Sequence, residues 1–289
     1  MESGKTFFKS RWLLNLALIV LVTVLALFAI YKGGQENTET GPPLTTLATD
    51  HVTRIRIDRP KKPRIVLAKT GDAWRLTAPY PARANQFNVD RLLRLAKAES
   101  QARFPAVSGE LARYGLDKPS ARVSLDDEEI IFGAMHPIKN QHYVRYRDEV
   151  HLIHSRYFAP VAYRYSNYID TRLLEEGRTP IGFKFPAFRL TLKDGNWHRQ
   201  PGNDKLTTDS INKFVQEWRH ARALSVERYS KKPALGQIKI TFTKNDKTET
   251  LTLAILGYKP DFILYRKDEG LEYHFPEGIG KRLLKISEE

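Results

Sequence analysis

The chain has 289 residues, no cysteine and a formal net charge of +14 at pH 7. The absence of cysteine excludes disulfides, thiolate metal sites, thiol nucleophiles and lipid attachment through a cysteine. The length suffices for one large domain or two small ones, and the basic excess favours anionic neighbours such as lipid headgroups or acidic polymers.

An uncharged apolar run lies near the N-terminus. As a helix, residues 12–31 (WLLNLALIVLVTVLALFAIY) match the thickness of a bilayer's hydrocarbon core, about 30 Å. Three basic side chains precede the run, and acidic residues follow soon after it. The positive-inside rule then predicts a cytoplasmic tail over residues 1–11, a single-pass transmembrane helix over residues 12–31 and a periplasmic C-terminal part, all at the inner (cytoplasmic) membrane. A cleaved signal peptide is the alternative, although its apolar region is normally about 7 to 15 residues long.

The segment after the apolar run is polar and rich in Gly, Pro and Thr, which predicts a flexible tether over residues 32–50. Three of the 47 basic and one of the 33 acidic residues precede residue 32, so the exported part carries +12. This charge fits nucleic acid as well as acidic lipid, but the predicted compartment argues against a nucleic-acid partner.

Beyond the tether, the chain presents one pattern twice. A short strand, a glycine turn and a tryptophan follow one another at residues 64–74 and again at residues 188–197, as in hairpins. A helix is predicted after each hairpin, with Asn88 and Thr208 as N-caps. The apolar positions of these helices have the spacing i, i+3, i+4, i+7: Val89, Leu92, Leu93 and Ala96, and then Ile211, Phe214, Val215 and Trp218.

The offsets between corresponding residues are nearly equal in the two halves. Trp74 and Trp197 are 123 residues apart, and Gly133 and Gly257 are 124 apart. These offsets predict a tandem duplication of an α+β unit, with a first repeat over residues 51–175 and a second over 176–289. Each repeat is expected to form a mainly antiparallel sheet with one principal helix on a face. Chance similarity between two amphipathic modules is the alternative.

The segment between the halves, residues 156–168, interleaves arginine with tyrosine. Both residue types are enriched at interfaces, so this connector is a candidate partner-binding surface. The alternative is that its aromatic rings wedge the two halves together. The residues predicted to bind a partner are Arg156, Tyr157, Tyr163, Arg164 and Tyr165.

A second motif is W-x-L-x-x-P at residues 74–79, followed later by Tyr-Gly-Leu-Asp-Lys-Pro at residues 114–119. In this order the chain resembles the bacterial family catalogued as domain of unknown function 4340. Gly115 suits a left-handed helix stop, and Asp117 with Pro119 sets the turn into the next strand. We therefore interpret the motif as structural; its residues are Trp74, Tyr114, Gly115, Leu116, Asp117, Pro119 and Trp197. The resemblance implies an accessory role in ABC-type transport or gliding-motility systems, and it implies no catalytic residues.

The sequence contains no phosphate-cradling loop, dinucleotide fingerprint or metal-binding motif. We therefore expect no catalytic residue, no cofactor and no metal ligand. The leading hypothesis is a membrane-anchored, non-enzymatic envelope accessory or scaffold that binds a membrane protein, which the resemblance associates with an ABC-type transport system. The alternative is a binding module for an anionic envelope lipid or polysaccharide. A third hypothesis, an envelope hydrolase, requires a pocket of converging polar residues with shifted pKa values.

Overall fold

A computed structural model of the chain describes residues 15–26, 41–244 and 247–287. Residues 15–26 form helix α1, and all of its side chains are exposed. The predicted transmembrane helix over residues 12–31 extends beyond the described residues at both ends of α1, and the predicted tail over residues 1–11 lies outside them. Within the described part of the chain, no helix is both long enough and apolar enough to cross a bilayer.

The first antiparallel sheet is built from residues 54–154. Its strands are β1 (Arg54–Asp58), β2 (Ile65–Thr70), β3 (Ala73–Ala78), β4 (Ala82–Arg83), β5 (Ala102–Pro105), β6 (Ala121–Leu125), β7 (Glu128–Met135), β8 (Gln141–Tyr146) and β9 (Glu149–His154). They lie in the order β4-β3-β2-β1-β6-β7-β8-β9-β5. Helix α2 (Gln86–Leu93) follows β4 and continues as a 3₁₀ segment, Arg94–Lys97. Helix α3 (Phe158–Ala162) follows β9.

The second sheet is also antiparallel. Its strands are β10 (Thr179–Lys184), β11 (Arg189–Lys193), β12 (Asn196–Gln200), β13 (Ser225–Arg228), β14 (Gly236–Lys244), β15 (Lys247–Gly257), β16 (Asp261–Arg266) and β17 (Leu271–Pro276). They lie in the order β12-β11-β10-β14-β15-β16-β17-β13. Helix α4 (Thr208–His220) packs near β10 and β12, and helix α5 (Glu277–Leu284) packs near β16, β17 and α4. The prediction of antiparallel sheets combined with helices is therefore confirmed.

The two sheets have the same strand order once the two-residue strand β4 is set aside. In both, three strands and then a helix follow one another along the chain, and the next strand lies at the far edge of the sheet. Trp74 pairs with Lys69 and Trp197 pairs with Leu192, so each tryptophan is the second residue of the returning hairpin strand. Trp74 is buried, whereas Trp197 is half-buried and packs on the Phe183 ring at 5.9 Å.

Both helix N-caps differ from those predicted. The cap of α2 is Asn85, whose side chain accepts a hydrogen bond from the Asn88 amide. Asn85 is held in extended conformation because its own amide donates to the Tyr168 carbonyl, at 2.8 Å. The cap of α4 is Thr207, one residue before the predicted Thr208. The apolar spacing predicted the buried helix faces better than the ends, since Ile211, Phe214, Val215 and Trp218 are all buried.

The chain becomes part of the folded unit before residue 50, where the predicted tether ends. Residues 32–40 of the predicted tether lie outside the described ranges, but the following residues pack on the 3₁₀ segment after α2. The Leu44 amide donates to the Ala98 carbonyl at 2.7 Å, and the Ser100 amide donates to the Pro42 carbonyl at 3.0 Å. Leu44 and Thr45 are buried. The folded unit therefore begins near residue 42.

Candidate anion-binding cleft

The connector, residues 156–168, is fixed against the first sheet and α2. Tyr168 is fully buried, and its hydroxyl donates to the Pro160 carbonyl at 2.5 Å. The Arg59 guanidinium donates to the carbonyl oxygens of Tyr163 and Val161. These bonds hold the backbone of the connector in one path beside α2.

The five residues predicted to bind a partner are not brought to one place. Arg156 and Tyr157 line a cleft with the end of α2. The Tyr163 hydroxyl accepts a hydrogen bond from Arg91, while Arg164 is exposed and engages Asn167 through its backbone. Tyr165 contacts Tyr80 instead.

Tyr165 belongs to the contact between the two sheets. Its ring lies edge-on to the Tyr80 ring at 5.6 Å, and the Tyr80 hydroxyl donates to the Val226 carbonyl of the second sheet at 3.2 Å. Burial, with the neighbouring Tyr165 and Glu227, raises the pKa of Tyr80 to about 12, so this hydroxyl remains a donor at neutral pH. The wedge interpretation therefore describes this end of the connector.

The cleft has a volume of about 400 Å³ and is bordered almost entirely by cationic and aromatic side chains. Its lining residues are Arg91, Arg94, Lys97, Arg156, Tyr157 and Pro160. None of its four cations forms an ion pair within 4 Å with a carboxylate of a described residue. The carboxylate that acts on Arg156 is Glu99, which pairs with Pro43 through a β-bridge. We call this site the basic cleft.

Three of these cations lie on one side of α2 and its 3₁₀ continuation because of their spacing in the sequence. Arg91, Arg94 and Lys97 recur every third residue, while the apolar positions Leu92 and Leu95 between them are buried. Cations at the C-terminal end of a helix are also stabilised by its dipole. Packing of the apolar side against the sheet therefore directs all three basic side chains outward, along one edge.

Tyrosine rings orient two of the guanidinium groups, one on α2 and one on the connector. Arg91 lies over the Tyr163 ring at 5.3 Å, and Arg156 lies over the Tyr157 ring at 4.9 Å. The hydrogen bond from Arg156 to the Tyr157 hydroxyl, at 3.1 Å, raises the pKa of this guanidinium. Guanidinium forks match phosphate and carboxylate oxygens, so both arginines present donors that suit an anion. The cleft is suited to bind an anion.

A second charged cluster lies at the junction of the two sheets, and it is buried. Arg83 of β4 contacts Glu269 at 2.7 Å and Asp170 at 3.2 Å. Its guanidinium also donates to the Tyr273 hydroxyl at 2.9 Å. Arg266, which is fully buried, donates to the Leu173 carbonyl at 2.6 Å. The junction is therefore filled by an ion-pair network.

Three acidic residues of this network lie close enough together to hold a metal ion: Glu175, Asp268 and Glu269. The Arg266 guanidinium, however, already contacts Glu175 at 3.0 Å and Asp268 at 2.5 Å. Burial alone raises the pKa of Glu175, but the hydrogen bond and charge of Arg266 outweigh burial, and the pKa lies below its ordinary value. The carboxylates are thus neutralised by an arginine, which is a structural role.

A serine–histidine–glutamate arrangement on the first sheet bears on the hydrolase hypothesis. The Ser100 Oγ lies 2.9 Å from His151 Nδ1, and His151 Nε2 lies 3.7 Å from the Glu149 carboxylate. Ser100 is buried, and its hydroxyl donates to the Ala102 carbonyl at 3.1 Å. The serine oxygen therefore contacts both the Ala102 carbonyl and His151 Nδ1, and the tautomer of His151 sets the direction of the second hydrogen bond. The pair is thus arranged to support the sheet edge.

We expect the free energy of unfolding to fall as the pH drops below about 6.5, partly because of His151. Burial lowers the pKa of His151 and that of His142 in the folded protein. The unfolded chain then binds more protons between its own pKa, about 6.5, and the lower folded one, so acid favours unfolding in that window. Urea unfolding of wild type and His151→Asn across pH 5 to 8 measures this slope, which the variant should reduce. The exposed histidine variant His220→Asn is the control, and an equal reduction there would refute the assignment.

The family motif lies at the other side of the first sheet. A 3₁₀ segment, Ser108–Tyr114, ends at Gly115, which has a φ of 66°. Leu116 is buried, Asp117 is exposed and Pro119 is half-buried. The motif packs on Gly133 of β7, where an added Cβ would overlap the Tyr114 carbonyl oxygen and lie 3.0 Å from the Leu116 side chain. The motif and Gly133 therefore form one packed unit.

Replacing Gly133 with alanine is expected to lower the free energy of unfolding by about 1–3 kcal/mol, because the added methyl group overpacks this contact. Thermal unfolding followed by tryptophan fluorescence measures the change. The matched control is Gly109→Ala, where an added Cβ meets no atom within 4 Å. Equal effects at the two glycines would contradict the packing described here.

Arg91, Arg94 and Lys97 are the residues that sequence reasoning missed. Their spacing of three residues was visible beside the predicted helix, but charged residues on a helix most often form a solvated face. Their meeting with Arg156, about 60 residues later in the chain, follows from packing of the connector on α2. Arg156 and Tyr157 were the two predicted residues in the right place.

Comparisons with known proteins give one match. A family model described as a domain of unknown function (DUF4340) matches residues 74–239, which is more than half of the chain. This match confirms the resemblance inferred from the motif. No curated protein and no solved structure matches the chain.

Proposed function

Since the chain belongs to the DUF4340 family, we propose that it is a membrane-anchored, non-enzymatic accessory protein of the cell envelope that binds an anionic partner through the basic cleft. The proposed topology places the N-terminus in the cytoplasm and the two sheets in the periplasm. The partner classes that fit are an anionic lipid, an acidic polysaccharide or an acidic surface of a membrane protein.

Helix α1 supports the anchor. Its residues are nearly all apolar, and their side chains are exposed, including Leu18 and Ile19 at about 60%. A helix that is apolar on every side is stable either inside a protein or inside a bilayer. The exposed apolar side chains of α1 are what an anchor would present to lipid, and this supports the proposal.

The basic cleft is the observation that carries the binding proposal. Converging cations repel one another, and among the described residues no carboxylate forms an ion pair within 4 Å with any of these four, so an entering anion would relieve the repulsion. The arginines at the junction of the sheets differ, since carboxylates already neutralise them. The cleft is therefore the site that an anionic partner would use.

We also infer that the two sheets descend from one duplicated α+β unit, as the sequence offsets predicted. The shared strand order and the corresponding positions of Trp74 and Trp197 support this inference. The basic cleft involves α2 and the connector, so it belongs to the first unit. The second unit then buttresses the first through the junction of Arg83 and Arg266.

A second candidate function is a scaffold that binds a membrane protein, which the family resemblance associates with ABC-type transport. Leu235 and Tyr258 favour it, since both large side chains are exposed on the second sheet, beside Gly236. Exposed apolar side chains that lie close together suit a protein partner better than a soluble anion. The two candidates use different surfaces and are separable by mutation.

Binding of a fluorescent heparin oligosaccharide, a generic polyanion, to the full chain in detergent micelles tests the anion-binding proposal. We expect the double variant Arg94→Gln/Lys97→Gln to weaken binding at least tenfold, since each charged hydrogen bond contributes about 1.5–3 kcal/mol. The control, Lys61→Gln/Lys62→Gln, removes the same charge from the exposed turn after β1. Equal losses in both variants would assign binding to net charge alone and would refute the cleft as a site.

A further inference from the structure

The chain enters the folded unit beside one end of the first sheet. The Pro42 carbonyl accepts a hydrogen bond from the Ser100 amide, and Pro43 pairs with Glu99. These are among the first described residues after the proposed anchor. The surface around residues 99–100 therefore lies where the chain from the proposed anchor enters the folded unit.

An exposed apolar hairpin tip lies at this same place. Met135, the last residue of β7, is 55% exposed; Ile138, between β7 and β8, is 90% exposed, and the exposed cation Lys139 follows it directly. The tip has a defined shape, because the His136 ring accepts hydrogen bonds from the amides of Ile138 and Lys139, at 3.2 and 3.1 Å. Ile138 is therefore held outward by the fold.

Hydrogen bonds join this tip to the chain entry and to the basic cleft. The Gln141 side chain donates to that of Gln101, one residue after Ser100. On the other side, the Ser155 amide donates to the Asn140 carbonyl at 3.0 Å, and Arg156 of the cleft follows Ser155. The tip thus lies between the entry of the chain and the basic cleft. We call this combined surface, formed by the hairpin tip and the basic cleft, the anchor-side face.

We propose that the anchor-side face docks on the anionic phospholipid surface of the bilayer that holds the anchor, with Ile138 in the interface and the cleft cations on lipid phosphates. This inference rests on the proposed function, because it takes residues 12–31 as the anchor. An exposed apolar tip that carries Lys139 and adjoins a basic cleft combines the apolar and cationic groups of segments that lie in the membrane interface. The docked chain would hold the first sheet directly on the bilayer.

The length of the intervening chain supports this orientation. Nine residues, 32–40, lie between the end of the proposed anchor, residue 31, and residue 41, which makes ten steps along the chain. Fully extended, they reach at most about 35 Å. A compact unit of about 250 residues has a radius of gyration of about 18 Å, so its diameter exceeds this reach. The end of the unit opposite residues 99–100 therefore cannot contact the bilayer, whereas a face that includes these residues can, and the anionic surface attracts its cations.

Site-specific fluorescence in proteoliposomes tests the docking. Because the chain has no cysteine, Asn140→Cys gives a single site for an environment-sensitive fluorophore beside Ile138. We expect a blue shift in vesicles of phosphatidylcholine with phosphatidylglycerol, and none in phosphatidylcholine alone. Raising the salt to about 1 M, where the Debye length is about 3 Å, should reverse the shift. A fluorophore at Leu224→Cys, exposed next to the second sheet, should remain in water throughout.

Variants of the same full chain assign the effect to residues. Each removed cation should reduce the ratio of docked to undocked protein about fivefold, so Lys97→Gln/Arg156→Gln should reduce it about 25-fold. The matched control Lys61→Gln/Lys62→Gln should leave the ratio unchanged. Ile138→Ser should weaken docking in the anionic vesicles without changing its salt dependence.

The outcomes separate the docking from the anchor. If the protein is extracted from the vesicles by alkaline carbonate, the anchor itself is wrong, and the docking inference falls with it. If the protein stays in the bilayer but the fluorophore at residue 140 remains in water on anionic vesicles, the docking alone is overturned. A response to soluble glycerol phosphate with no response to anionic vesicles would likewise overturn it, because the cleft would then bind free phosphate.

Discussion

Replacing Arg266 with methionine is expected to lower the free energy of unfolding by about 3–5 kcal/mol. The guanidinium of Arg266 is fully buried, and it neutralises Glu175 and Asp268 at the junction of the sheets. Methionine fills much of the same volume but removes the cation from the half-buried Glu175 and the buried Glu269 carboxylates, and it leaves the Leu173 carbonyl without its donor. Such uncompensated groups cost more than the lost ion pair itself gained. Urea unfolding of the full chain in detergent micelles, followed by tryptophan fluorescence, measures the change.

A matched control distinguishes the loss of a buried arginine from the loss of any paired arginine. Arg113→Met removes an arginine whose ion pair with Glu110 is largely exposed, at 71% and 48% of the two side chains. Exposed pairs contribute at most about 1 kcal/mol, so this variant should unfold near the wild-type midpoint. A loss below 1 kcal/mol for Arg266→Met would show that the junction tolerates an unpaired carboxylate, which contradicts its description as a closed network.

The same variant has a pH signature. The folded-state pKa of Glu175 lies below its unfolded value of about 4.5, because Arg266 stabilises the carboxylate. The stability from this pair is therefore present above pH 4.5 and is lost as the pH falls through the lower folded pKa. Arg266→Met removes this contribution, so the difference in stability between wild type and variant should shrink in acid. A difference that grows in acid would contradict the sign of the shift.

Replacing Trp218 with alanine is the second change of large expected effect, about 3–5 kcal/mol. The side chain is fully buried, its ring lies 5.7 Å from that of Phe183 and 5.6 Å from that of Phe185, and its Nε1 donates to the Leu283 carbonyl of α5 at 3.0 Å. Truncation leaves a cavity between α4 and the second sheet and breaks the bond between α4 and α5. Thermal unfolding monitored by circular dichroism measures the loss.

The half-buried Trp197 is the control for this truncation. Trp197→Ala removes the same side chain from the same sheet at the edge of the aromatic cluster, so its cost should be clearly smaller. Trp218→Phe should recover most of the packing and retain only the loss of one buried hydrogen bond, about 1 kcal/mol. Equal costs for the two alanine variants would mean that α4 is not the helix that closes the core of the second sheet.

Periodicity and turn chemistry predicted the elements of this fold well because both are local. The spacing of Ile211, Phe214 and Trp218 gave the buried face of α4, and the glycine turns gave the hairpins that carry Trp74 and Trp197. Helix ends were predicted less well. The cap of α2 depends on a hydrogen bond between Asn85 and Tyr168, whose partners are more than 80 residues apart.

The two charged clusters show what local reasoning misses. Arg83 and Glu269 are 186 residues apart, so their pairing depends on how the two sheets pack together. The basic cleft depends on the path of the connector over α2, which brings Arg156 to Lys97. Interface composition alone was enough to predict Arg156 and Tyr157. The same criterion also selected Tyr163, Arg164 and Tyr165, because composition does not show that the connector turns.

If the folded unit is exported and anchored as proposed, an anionic envelope component should bind in the basic cleft. Photo-crosslinking in living cells tests this prediction most directly, with a crosslinking amino acid at residue 94 in one strain and at residue 235 in another. Mass spectrometry of the membrane fraction then identifies each adduct. We predict anionic lipid, acidic glycan or an acidic protein surface at residue 94, in protein that resists alkaline extraction. Protein recovered in the soluble fraction, or adducts that form at residue 235 and never at residue 94, would contradict the account.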